Sequence, residues 1–259
     1  MQSLRAIAII TIFLIVTFLL IPVQWLGLKL RRPYVRTFPH AYHRFVARLF
    51  GINIKAVGKP VSDHGLLILA NHAGWIDIVI FSAVLPVSFI AKAEVNDWPF
   101  FGTLARLQRT VFVTRERRSQ TGAARDAIRE RLLQGDTLAL FPEGTSGDGN
   151  TVLPFKSALL GAAEAGLADG RHVPVQPVST AFTHLYGIPM GRENRPFFAW
   201  YGDMDLMPHL WEALKAGPLD VVVEFHPPLS LDAMDRKELA KAAEQAVRAG
   251  QVRALAGLV

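Results

Sequence analysis

Between Arg5 and Lys29 the chain carries no charged side chain. The 23 residues in between, AIAIITIFLIVTFLLIPVQWLGL, exceed the roughly 20 apolar residues that span a bilayer. Such a run must be buried whole or set in lipid. Pro22, Gln24 and Trp25 interrupt its last third, so one helix across residues 6–28 and a helix ending near Leu20 with an interfacial turn both fit. A cleaved leader fits less well, because the apolar stretch is too long and no small-residue cleavage site follows it. Lys29, Arg31, Arg32 and Arg36 follow the run and Arg5 alone precedes it. That asymmetry places the downstream side in the cytoplasm, and the cluster attracts anionic headgroups at about 1 kcal/mol per residue. Membrane attachment is the expectation; whether the segment spans or lies in one leaflet stays open.

Charge is divided along the chain as sharply as hydropathy. No Asp or Glu precedes Asp63, while nine of the 28 basic residues lie before it; the remainder carries 19 basic against 22 acidic residues. The net charge of +6 therefore belongs to the N-terminal quarter, which argues against nucleic acid as a partner, since that would need a basic face on the folded domain. With no cysteine, disulfides, thiolate nucleophiles and Cys-based zinc sites are excluded. A length of 259 residues and 51% hydrophobic content allow one large α/β domain, or two small ones, with ample core.

Residues 34–50 place Phe38, Tyr42, Phe45, Val46 and Leu49 at helical spacing, with Arg44 and Arg48 on another face. Short apolar runs at 52–57, 66–70, 87–91, 111–113, 137–141, 173–178 and 221–225 read as strands. The prolines of the 173–178 run argue for an edge strand or a ligand-facing end. Helices are expected at 75–81, 119–134 (with Ser119 as cap and Gly135 as stop), 156–165 and 232–256. Strands alternating with helices give one α/β domain, a mixed sheet flanked by helices over residues 51–259, preceded by a membrane-associating helix or helical hairpin in residues 1–50.

Chemistry concentrates where the 66–70 run stops. Asn71, His72 and Gly74 break it, and a buried helix begins at Trp75. Open α/β sheets place ligands at such carboxyl ends of strands. Asp77, five residues after His72, is placed to bond one ring nitrogen, fix the tautomer and leave the other nitrogen for a substrate hydroxyl. The same spacing also fits an interior histidine held by a helix-start carboxylate. After the 137–141 run comes Pro142-Glu143-Gly144-Thr145-Ser146-Gly147-Asp148-Gly149, whose glycines let backbone N–H groups approach an anion or oxyanion.

Four blocks taken together resemble the glycerolipid acyltransferases, of which bacterial 1-acylglycerol-3-phosphate acyltransferases are the usual example. They are Asn71-His72 with Asp77; Lys92-x-Glu94 with Pro99 and Gly102, then Phe112-Val113-Thr114-Arg115; Phe141-Pro142-Glu143-Gly144-Thr145; and Val173-Pro174-Val175 with Pro177. The resemblance covers about residues 50–230. It implies a membrane-bound enzyme that moves a fatty acyl group from acyl carrier protein or coenzyme A to a lysolipid hydroxyl, with no metal and no other cofactor, and that works at the inner membrane facing the cytoplasm. The implied base is His72, oriented by Asp77. Asn71 and Glu94 join the substrate-binding set, Glu143, Gly144 and Thr145 hold the acceptor's glycerol-like part, and Lys92 and Arg115 meet an anionic headgroup. The acceptor so implied is 1-acyl-sn-glycerol 3-phosphate, giving phosphatidic acid. Two departures cut against it: Ser146 stands where the family continues with a basic residue, and Thr114 replaces an acidic one. The FPEGTSGDG stretch and Trp200-Tyr201-Gly202-Asp203-Met204 are instead similar to the lyso-ornithine lipid acyltransferase branch.

Two other classes fit the sequence less well. A metal hydrolase has too few ligands, with Glu94 the nearby candidate and no paired-histidine motif. A non-catalytic membrane scaffold accounts for the N-terminus but leaves His72, Asp77 and Glu143 at the strand ends without a purpose.

Overall fold

The fold is taken from a computed structural model, described for residues 2–61, 65–114, 118–164 and 172–259. It is built on a mixed sheet. Its strands are β1 (Ile52–Val57), β2 (Leu66–Ala70), β3 (Ser88–Lys92), β4 (Val111–Val113), β5 (Thr137–Leu140), β6 (Val175–Leu185), β7 (Ile188–Pro189) and β8 (Leu219–Phe225). Their spatial order is β1-β8-β6-β2-β5-β3-β4, with β7 paired to β6. β6, β2, β5, β3 and β4 run parallel, and β8 pairs antiparallel to β6. The carboxyl ends of β2, β3 and β5 therefore share one edge, and this brings together motifs lying far apart in the chain.

β2 is buried along its whole length. Leu66, Ile68 and Ala70 belong to one core and Leu67 and Leu69 to another, the alternation that a two-sided sheet requires. The first core is closed by α2 (Phe38–Phe50), α3 (Ile76–Val84) and α6 (Leu206–Lys215); the second by α5 (Arg118–Leu133) and α7 (Arg236–Leu255). α7 starts at a capping box, Asp235 with Glu238, four residues later than the sequence led one to expect. Its Gly250 packs so closely on β6 and the end of β8 that a Cβ there would lie 2.3 Å from Ser179 Oγ.

The apolar N-terminal run forms one continuous helix, α1 (Gln2–Lys29), straight through Pro22. The break comes after it, at residues 30–37, and α2 then returns antiparallel: Gln24 Nε2 donates to the Val35 carbonyl, Thr17 bonds Tyr42 Oη at 2.6 Å, and Phe13 packs on Phe50. The segment is thus a helical hairpin. Ala6 and Ile9 join the same core as β2 and α3. The Arg5 guanidinium donates to the carbonyls of Phe50, Leu214 and Ala216 at the ends of α2 and α6, where a cation meets the negative ends of two helices. At the other end Gln24 also reaches the Leu107 carbonyl of α4 (Phe101–Leu107) at 2.9 Å. α1 is therefore docked along most of its length, with Leu4, Ile7, Ile15, Phe18, Leu19 and Leu26 on its exposed side.

The structure departs from these expectations at three points. β6 is an interior strand, flanked by β2 and β8, and not an edge. Pro177 is tolerated because its carbonyl accepts from His226 N–H, just past the end of β8. N–H and C=O of one strand residue point the same way, so its missing donor faces the point where that pairing ends. The 156–165 helix shrinks to a 3-10 turn, Leu160–Glu164, with residue 165 outside the described residues. Helices α4 and α6 were not anticipated.

Candidate active site

The turn between β2 and α3 holds His72 at the sheet edge. Its Nδ1 lies 2.8 Å from Asp77 Oδ2. The same oxygen accepts the backbone N–H groups of Ala73 at 2.6 Å and Gly74 at 3.1 Å. An oxygen that already receives two donors is an acceptor, so Nδ1 carries a proton, and in the neutral imidazole Nε2 keeps its lone pair. The Asp77 side chain is 0% exposed and that of His72 23% exposed; the carboxylate is sealed and the imidazole is open. Phe141, the first residue after β5, stacks on the ring with centroids 4.2 Å apart and planes 17° apart, which fixes the ring plane. Gly74 sits at φ +137°, a backbone conformation that side chains rarely adopt. Its site is also crowded: a Cβ would meet Trp200 Cβ at 2.8 Å and Trp200 N at 2.9 Å.

His72 opens into a cavity of about 700 Å³. One wall is α1, through Ile10, Phe13, Thr17 and Gln24, and another is α4 with Trp98 and Phe100. The aromatic cluster of residues 98–101 thus packs against α1, with Phe18 on Phe100 at 5.7 Å. The cavity is apolar over most of its surface and joins the open imidazole to the underside of the lipophilic helix. An imidazole held this way can take a proton from a hydroxyl, and the cavity can hold an acyl chain beside it.

The other sequence candidates divide. Lys92, the last residue of β3, together with Gly144 and Thr145, lines the same cavity as His72. Asn71 is buried, and its amide engages the Thr180 backbone through both polar atoms, donating to the carbonyl at 2.9 Å and accepting the N–H at 2.8 Å; it ties the turn to β6. Glu143 is 3% exposed and accepts from Leu153 N–H at 3.2 Å. Burial, opposed by the backbone N–H groups of Leu153 and His72, pushes its carboxyl up to about 8. Glu94 is exposed on a 3-10 turn away from the cavity lining. Arg115 lies outside the described residues. Among the described residues no group of three or more His, Cys, Asp or Glu is placed to hold a metal ion.

Sequence reasoning missed the contributions of α1, Phe141 and Trp200 to the site. Their signals were present only as an apolar run, a motif's first letter and a resemblance.

Comparison with known proteins gives the family. Residues 52–181 match the family model described as Acyltransferase. A lyso-ornithine lipid O-acyltransferase of Brucella abortus (strain 2308) is 48% identical, over 98% of this chain and 97% of that one. Another, of Rhizobium meliloti (strain 1021), is 41% identical over 92% and 82%. A 1-acyl-sn-glycerol-3-phosphate acyltransferase of Neisseria gonorrhoeae is 34% identical over 74% and 72%. Among solved structures, the 1-acyl-sn-glycerophosphate acyltransferase PlsC from Thermotoga maritima shares the fold at a TM-score of 0.68 and 23% identity, over 98% of both chains. The chain belongs to the acyltransferase family, and it is an acyltransferase acting on lysolipids.

Proposed function

We propose that the protein is a lyso-ornithine lipid O-acyltransferase in which His72 is the general base. The observation that carries the chemistry is the Asp77–His72 pair, with its free Nε2 at the mouth of an apolar cavity. The lysolipid hydroxyl gives its proton to Nε2 as its oxygen bonds to the thioester carbon. Asp77 holds the imidazolium that forms. The tetrahedral intermediate then collapses, the C–S bond breaks, and the thiolate takes the proton from His72. Lys92 and Thr145 on the same wall are donors available to the developing oxyanion or to a headgroup carboxylate. Because the donor thioester is already activated, no covalent acyl-enzyme is required, in keeping with a chain that has no cysteine.

For the acceptor, the lysophosphatidate expectation gives way to its alternative. The Brucella and Rhizobium relatives, at 48% and 41% identity, carry the lyso-ornithine lipid name, and the Neisseria relative with the 1-acyl-sn-glycerol-3-phosphate acyltransferase name is 34% identical. Ser146 in place of a cation points the same way. Residues 1–50 act as the membrane-associating segment. The docking of α1 from Arg5 to Gln24 favours a helix lying in one leaflet, with its apolar side in lipid, over one crossing the bilayer alone. The catalytic edge then faces the cytoplasm, where acyl carrier protein or coenzyme A delivers the donor. Purified protein given both donors and a panel of lyso-ornithine lipid, lysophosphatidate and lysophosphatidylglycerol tests the acceptor. Preferred turnover of lyso-ornithine lipid supports the proposal, and preferred turnover of lysophosphatidate refutes it.

A further inference from the structure

Residues 200–202 form a strap bound to the His72 turn from two sides. Trp200 N–H donates to the Ala73 carbonyl at 2.7 Å, and the approach is so close that position 74 admits only glycine without strain. From the other side Ser146 Oγ donates to the Trp200 carbonyl at 2.6 Å, and the neighbouring Gly147 N–H donates to the His72 carbonyl at 2.8 Å. The turn after β2, the turn after β5 and the strap are thus closed into one ring that includes the backbone of His72, and the Ser146 hydroxyl is the side chain that closes it. The strap's indole meets Trp98 edge to face at 5.8 Å and donates to the Met204 carbonyl at 2.7 Å. Trp98, Trp200, Tyr201 and Gly202 all line the cavity.

Position 146 is where the family pattern has a cation. Here the side chain is turned onto the strap and adds no charge to the cavity lining. Aromatic rings attract an ammonium, whereas a fixed cation in the same place would repel it. We infer that Ser146 is a positioning residue for acceptor recognition. Its hydroxyl seats an aromatic strap where the family pattern has a cation, which suits the cavity to a headgroup bearing an ammonium and no phosphate. This deepens the lyso-ornithine lipid proposal and rests on it.

The test compares wild type, Ser146→Ala and Ser146→Thr in detergent, with KM for acceptor and donor and kcat measured separately. Hydrogen exchange is followed across residues 198–204. Ser146→Ala is expected to raise the KM for lyso-ornithine lipid about tenfold, a larger change than its effect on kcat, with donor KM unchanged. Exchange in the strap should rise, and Ser146→Thr, which keeps the hydroxyl, should restore all three readouts. Ser146→Cys, similar in size and a weaker donor, replaces alanine if that variant does not fold, and the same shifts are expected of it. An unchanged acceptor KM, or a loss falling equally on kcat and both KM values, overturns the inference while wild type still uses lyso-ornithine lipid. A wild-type enzyme that acylates lysophosphatidate and not lyso-ornithine lipid overturns the acceptor proposal itself.

Discussion

Replacing Asp77 by Asn changes one atom's chemistry at the centre of the site and keeps its volume. In the native turn Oδ2 accepts from His72 Nδ1, Ala73 N–H and Gly74 N–H, all within 3.1 Å. An amide oxygen can keep those three contacts, so the turn should persist. What is lost is the negative charge facing the imidazolium that forms as the substrate proton moves. Two unit charges at the observed 2.8 Å separation attract by about 6 kcal/mol at an effective dielectric of 20. Part of this is recovered by the amide dipole, which leaves a barrier increase of about 3–5 kcal/mol, or roughly 10²–10⁴ in kcat. The new amide NH₂ replaces Oδ1, which is buried and has no hydrogen-bond partner among the described residues; an unsatisfied donor there costs about 1–3 kcal/mol of stability. The assay is acyl transfer under saturating donor, beside thermal unfolding of the same preparation. The reasoning requires kcat to collapse while acceptor KM stays within threefold and the protein remains folded. A kcat within tenfold of wild type would refute it, as would a loss confined to KM.

Glu143→Gln tests the buried carboxyl next to the site. With its carboxyl pushed up from 4.5 to about 8, the folded state binds a proton that the unfolded state has released. Between those values wild-type stability should fall with pH by about 1.4 kcal/mol per unit relative to the variant, and the difference should level off above pH 8. Unfolding midpoints that run parallel across pH 5–8 would show that the carboxyl is ionised throughout. Phe18 and Leu19, 60% and 69% exposed on α1, are placed in lipid by the in-plane arrangement. Changing both to Ser should weaken vesicle binding by about 2–3 kcal/mol, roughly a hundredfold, in flotation with anionic liposomes. Undiminished flotation would count against that arrangement.

What the sequence made legible followed from local rules. The all-apolar β2 stopping at Asn71, and the five-residue interval from His72 to Asp77, were sufficient to foresee the turn and its hydrogen bond, because both ends lie within one strand–turn–helix unit. The convergence of Lys92, His72 and Thr145 followed from parallel strands sharing an edge. Long-range contacts were not legible. Nothing in the periodicity of residues 173–178 revealed that β6 sits between a parallel and an antiparallel neighbour, since Pro177 is excused by where β8 ends. Asn71 reads as a substrate ligand in the motif, yet its amide is engaged by Thr180, more than a hundred residues on. Likewise Ser146 reads as a missing cation until the Trp200 carbonyl is found beside it. The hydropathy of α1 announced lipid but not docking. Its tie points, Arg5, Thr17 and Gln24, are scattered polar residues whose partners belong to α2, α4, α6 and the turn before α2.

The most direct test of the account is acyl transfer from a thioester donor to lyso-ornithine lipid by purified wild type beside His72→Ala, with thioester consumption and acylated product both counted. The account predicts turnover by wild type, and a fall of at least a thousandfold in His72→Ala that still binds acceptor with near-native affinity. Turnover that survives the loss of the imidazole would contradict the assignment of His72 as the base.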